Sequence, residues 1–103
     1  MTVAASPLEQ LEPGQTHTTR RTLSQADFTE FAELSGDDNP IHVDPEFASR
    51  THFGATVSHG MLLYSLVCAA ISEFLPGGRQ LDQELMFPTG TPAGETIEVR
   101  LKV

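Results

Sequence analysis

The chain has 103 residues, 39% of them hydrophobic, and a formal net charge of −8. That length suits one small domain near the lower end of what a single core can stabilise, and the acidic balance argues against nucleic acid, which needs a basic face. No apolar run of about 18 residues or more is present to span a membrane, no basic and apolar leader is expected, and the lone Cys68 can close no internal disulfide, which points to a reducing cytoplasm.

In chain order, residues 1–15 hold two prolines and mixed polarity and read as a loosely held arm, followed by one domain over residues 16–103. Thr-rich residues 16–22 predict a short strand. Ser24-Gln25-Ala26-Asp27 has the form of a capping box, and Ala26, Phe28, Phe31 and Leu34 mark the core side of the helix that follows. Gly36 supplies a left-handed stop. Asp44 as cap and Pro45 at the first helical position open a second short helix. Residues 60–75 form the longest helical run, with few polar members, so the helix is expected to be buried on nearly all sides. Pro76-Gly77-Gly78 ends it. Residues 80–87 and 96–103 then read as strands, the second with alternating Ile97, Val99, Leu101 and Val103. Periodicity alone gives an α+β fold with one central helix.

The run Ser35-Gly36-Asp37-Asp38-Asn39-Pro40-Ile41-His42 carries the chemistry. It sets an acid and an imidazole five positions apart on a loop bounded by Gly36 and Pro40. Asp can act as base, and His as either base or acid near neutral pH. Asn39 is a ready turn former, and Asp38 is expected to face solvent. His17 and His52 have no local support. Asp37, His42 and His59 are metal-ligating types, but neither an HExxH nor a CxxC spacing occurs, so no metal is expected.

The segment Phe31-Ala32-Glu33-Leu34-Ser35-Gly36-Asp37-Asp38-Asn39-Pro40-Ile41-His42-Val43-Asp44 resembles the signature of the MaoC-like, or hydratase 2, enzymes. Ser58-His59-Gly60-Met61-Leu62-Leu63 is similar to that family's second hallmark, with a fainter likeness at Phe87-Pro88 and Pro92-Ala93-Gly94-Glu95. The resemblance implies a hotdog fold, an antiparallel sheet wrapped around a long buried central helix, here apparently lacking the C-terminal strands. A sheet left partly open predicts a homo-oligomer, dimer or higher.

The implied activity is (R)-specific hydration of trans-2-enoyl-CoA to (R)-3-hydroxyacyl-CoA, or the reverse dehydration. By the same resemblance Asp37 and His42 form the catalytic dyad, and no cofactor is implied beyond the coenzyme A thioester substrate itself. The backbone N–H of Gly60, at the start of the long helix, is the candidate oxyanion donor. Asn39 is a candidate for orienting water or substrate. Cys68 stands where some resembling hydratases carry a serine, nine residues beyond the histidine of the second motif, and is a candidate pocket residue. His59 is expected to be a structural hydrogen-bonding residue. Coenzyme A phosphates would require some of Arg20, Arg21, Arg50 and Arg79 to gather at the entrance. The alternatives are a dehydratase of acyl-carrier-protein or specialised polyketide or dicarboxylic thioesters, and a non-catalytic hotdog partner that binds acyl groups or completes another subunit.

Overall fold

The computed structural model describes residues 7–103. Of the N-terminal arm, residues 1–6 therefore lie outside the described residues. The rest is tied down. Pro7–Gln10 makes a single 3-10 turn, Gly14 N donates to Val103 O at 2.7 Å, and Val103 N donates to Gln15 O at 2.9 Å.

Strand β1 (Thr16–Thr22) pairs antiparallel with β2 (Thr96–Lys102), in a register that sets Thr16 opposite Lys102 and Thr22 opposite Thr96. The pairing puts Thr19 against Val99 and His17 against Leu101 on the inner face. Arg20 faces Glu98 on the outer one, with Nη2 3.1 Å from Oε2. That ion pair is solvent-exposed and worth little, about 0–1 kcal/mol. The inner face provides the energetics: Val99 packs with Leu23, Phe28, Leu66 and Ala70 into one buried cluster.

Helix α1 (Gln25–Ser35) begins as the sequence predicts. Ser24 Oγ accepts from Asp27 N, and Ser24 N donates back to the Asp27 carboxylate at 2.8 Å, closing the capping box. It ends at Gly36, whose φ of 82° is a conformation that side-chain-bearing residues rarely adopt. Its buried face differs from the expected one: Phe28 and Ala32 are buried, whereas Ala26 and Leu34 face solvent. Helix α2 (Pro40–Val43) is a single turn the sequence reading missed. Asn39 Oδ1 accepts from Ile41 N, and Pro40 starts the helix where its lack of an N–H costs nothing. Asp44 then caps α3 (Pro45–Ser49), as expected.

The long helix, α4 (Gly60–Phe74), lies against the two strands. Only Leu66 and Ala70 are buried on it, and Met61 is 54% exposed, so the expectation of burial on nearly all sides is corrected. Two strands cover one side of a helix and no more. Residues 80–87 are likewise not a strand. They lie without a ladder partner among the described residues, with Leu81 74% and Met86 82% exposed. Alternation marks a segment able to enter a sheet, but hydrogen bonds to a neighbour make the strand. The resulting shape is elongated, 51 × 26 × 25 Å.

Candidate active site

Three elements meet where α4 begins. Asp37 follows the Gly36 stop of α1, His42 sits on α2, and His59 is the residue just before α4. One ligating atom from each of Asp37, His42 and His59 lies within 4.8 Å of the other two. The sequence reading placed both Asp37 and His42 on a loop. Asp37 is on one, but His42 is held by the single turn of α2, because Asn39 caps that turn.

Each imidazole is fixed by a carbonyl. His42 Nδ1 is 2.7 Å from Val57 O, and His59 Nε2 is 2.8 Å from Asp37 O. A carbonyl only accepts, so both nitrogens carry a proton and donate. The opposite nitrogen of His42, Nε2, is left with a lone pair for chemistry. The rings stack, with centroids 3.8 Å apart and planes inclined by 24°, and Phe31 packs against His59 with centroids 4.7 Å apart. A metal held by this trio would have to take the second nitrogen of each ring, since the first is already used.

The surroundings are tied together by long-range hydrogen bonds. Gln25 Nε2 donates to His42 O at 2.9 Å, while Gln25 Oε1 accepts from Thr56 Oγ1 at 2.5 Å. Val57 N donates to Ile41 O, and Ser58 N to Thr91 O. Residues 56–59 are all buried and run as a strut between α2 and the segment before β2.

A cavity of about 300 Å³ opens beside His42. Ile41, Val57, Leu63, Phe53 and Phe87 give it apolar walls, and Gly60 lies at its edge. No side chain caps α4, so the first-turn N–H groups, Gly60 included, have no acceptor within the helix. They form the positive end of a helix of 15 residues. Gly60 admits the close approach of the Phe87 ring, which a Cβ there would meet at 3.0 Å.

Other candidates fall elsewhere. Asn39 spends its side-chain oxygen on the α2 cap. Cys68 does not line this cavity; it is half-buried further along α4, where its Sγ accepts from Gln80 Nε2 at 3.7 Å, and Gln80 Oε1 accepts from Tyr64. His52, which had no local support, lines the cavity beside Phe53. His17 stacks on Phe74 at the far end of α4. No arginine lines the cavity: Arg20 pairs with Glu98, Arg50 with Glu46, and Arg79 borders a separate cavity of about 310 Å³ at the C-terminal end of α4. That second cavity has neither an acid nor an imidazole on its walls, whereas the first has His42 and His52, with Asp37 close to His42 but outside the lining. His59 is the residue whose part in the site the sequence understated. Its bond to Asp37 spans 22 positions, and only the fold brings the two together.

A long helix laid across an antiparallel sheet is the hotdog arrangement, and its solved neighbours include two (R)-hydratases. One from A. caviae superposes with a TM-score of 0.86 at 33% identity, covering 91% of this chain and 73% of that one. One from Pseudomonas aeruginosa gives 0.84 at 37% identity, covering 95% of this chain and 64% of that one. The chain belongs to the MaoC-like domain family, whose model matches residues 9–103. It is 37% identical over 97 residues to a 3-hydroxybutyryl-CoA dehydratase of Methylorubrum extorquens, spanning 92% of this chain but 62% of that protein's length. It is 36% identical over 97 residues to an (R)-specific enoyl-CoA hydratase of Aeromonas caviae, spanning 72% of it. Among the described residues no helix is long and apolar enough to cross a membrane.

Proposed function

We propose that this protein is a hydro-lyase that adds water to trans-2-enoyl-CoA, giving (R)-3-hydroxyacyl-CoA, and catalyses the reverse dehydration. The observation that carries the reading is the His42 imidazole on the wall of an apolar cavity that Gly60 of the uncapped helix start also lines, with a carboxylate oxygen of Asp37, itself not a lining residue, within 4.8 Å of a His42 ring nitrogen. A gap of that size admits one water oxygen hydrogen-bonded to both groups, at about 2.6–3.2 Å from each.

The chemistry follows from where charge develops. The thioester carbonyl oxygen gains negative charge as water attacks the β carbon, and the N–H of Gly60 receives it. The water oxygen bonds to the β carbon while its proton passes to the dyad. A proton is delivered to the α carbon on the same face, and the enolate collapses to the thioester. Asp37 and His42 act as a coupled pair, so the proton belongs to both. The likeness to a 3-hydroxybutyryl-CoA dehydratase and an (R)-specific enoyl-CoA hydratase supports this choice of substrate.

The carrier is coenzyme A in this reading. A dehydratase for acyl-carrier-protein thioesters would use the same residues, as the likeness over 77 residues to such an enzyme of Arabidopsis thaliana suggests, but a net charge of −8 makes an acidic carrier a poor fit. The working form is a homo-oligomer, favoured by the apolar side chains left open on α4 and residues 80–87.

The test is the loss of enoyl absorbance with crotonyl-CoA, longer enoyl-CoA and carrier-bound analogues, followed by chiral analysis of the product. Turnover of a CoA thioester to the (R) alcohol supports the proposal. Turnover of the carrier-bound form alone transfers it to the alternative, and no turnover of any thioester leaves the non-catalytic reading.

A further inference from the structure

We infer that His59 is a positioning residue that holds Asp37, His42 and the Gly60 amide in mutual register; this rests on the reading of Asp37 and His42 as the reacting pair. The two groups come from separate elements, the loop after α1 and the turn α2, and no hydrogen bond joins them directly among the described residues. What they share is one ring.

His59 is 2% exposed and, with Phe28, one of the two largest fully buried side chains. Burying an imidazole is costly unless its polar atoms are bonded. Nε2–H is bonded, to the Asp37 carbonyl at 2.8 Å, whereas Nδ1 has no partner among the described residues. One face of the ring lies on His42 at 3.8 Å, and Phe31 of α1 packs tilted against it at 4.7 Å. A buried ring stacked on one neighbour, packed against a second and bonded at one edge cannot tilt without moving them.

Three distances are thereby fixed at once. The bond to the carbonyl sets where the Asp37 main chain stands. The stack sets the plane of His42, whose own Nδ1 is already tied to Val57 O. The peptide bond from His59 to Gly60 places the candidate oxyanion donor. A hydrophobic ring of similar size would fill the space but leave the Asp37 carbonyl without its donor; an amide would keep a donor but lose the stacked face.

The test separates these parts with His59→Phe and His59→Gln, read by kinetics and by imidazole 15N NMR. In the unmodified protein, His59 should show the Nε2–H tautomer and His42 the Nδ1–H tautomer. His59→Phe should fold, keep the His42 signature, and lose about 10- to 100-fold in kcat with KM within about twofold, the pattern of misplaced rather than missing groups. His59→Gln should change the His42 signature while retaining part of the activity. A folded His59→Phe with undiminished kcat would overturn the inference. So would the opposite tautomer at His59 in the unmodified protein, a result available even where neither variant folds. An unmodified protein that hydrates no thioester would sink the proposed function instead, and the tautomer pair would still decide the geometry claimed here.

Discussion

His42 Nδ1 lies 2.7 Å from the carbonyl oxygen of Val57, and that one contact decides which nitrogen of the ring is available. The carbonyl accepts a hydrogen bond from Nδ1–H, so in the neutral ring Nε2 keeps the lone pair. Val57 can do this because it is clamped in turn, its N–H donating to Ile41 O at 3.1 Å and its backbone bridging to Pro92.

Gly60→Ala tests the close approach at the helix start. The added Cβ would meet the Phe87 ring at 3.0 Å, and that ring stands on an exposed segment that can yield. The fold should survive with a melting temperature within a few degrees of the original. Turnover should fall about 10- to 100-fold, because the methyl group displaces a bound acyl thioester from the N–H groups. Unchanged kcat and KM would remove Gly60 from the site.

Gln25→Ala should loosen the support of His42. It removes the donor to His42 O and the acceptor for the Thr56 hydroxyl, which is buried. An unpaired buried polar group costs about 1–3 kcal/mol, a large share of a small domain's stability. Urea denaturation should show the loss as a lower midpoint with an unchanged slope.

Asp27 gives the fold an acid dependence. The Ser24 backbone N–H and then the Ser24 side chain hold its carboxyl below the ordinary value of 3.8, with Arg21 assisting and burial opposing. A carboxyl whose value is depressed on folding contributes stability above its unfolded value and loses it as pH falls through the folded one. Asp27→Asn should therefore be less stable than the original at neutral pH. The two proteins should converge as the pH drops below about 4, the unfolded range for Asp. Parallel stability curves down to low pH would show that the capping box carries no such linkage.

Cys68→Ser should keep turnover within about twofold. Cys68 lies outside the walls of the His42 cavity, and a hydroxyl can still accept from Gln80 Nε2, more strongly than sulfur does. A large change in chain-length preference would instead bring Cys68 into the acyl pocket.

What could be read from the sequence was local. The capping box at Ser24, the stop at Gly36, the Asp44-Pro45 start and the Thr96–Lys102 alternation are each decided by neighbours a few positions away. The two motifs likewise marked the acid and imidazole before their geometry was known. Reading failed where distant parts decide. Pro40 keeps Asn39 out of helical geometry as expected, but it also starts a helical turn of its own once Asn39 supplies the cap. Residues 80–87 have the alternation of a strand but no neighbour to pair with among the described residues. His59 reads as a structural hydrogen-bonding residue, but the sequence does not name its partners, because Asp37, His42 and Phe31 come from elsewhere in the chain.

The central claim is that Asp37 and His42 together activate the water. The most direct measurement is the steady-state hydration of crotonyl-CoA by Asp37→Asn and His42→Ala, each shown by circular dichroism to be folded. Positioned acid–base groups contribute about 10²–10⁴-fold, and members of one unit are not additive. Each variant should lose activity in that range, and the double variant should be hardly worse than either single one. Near-original turnover in both folded variants, beside an active original protein, would contradict the account.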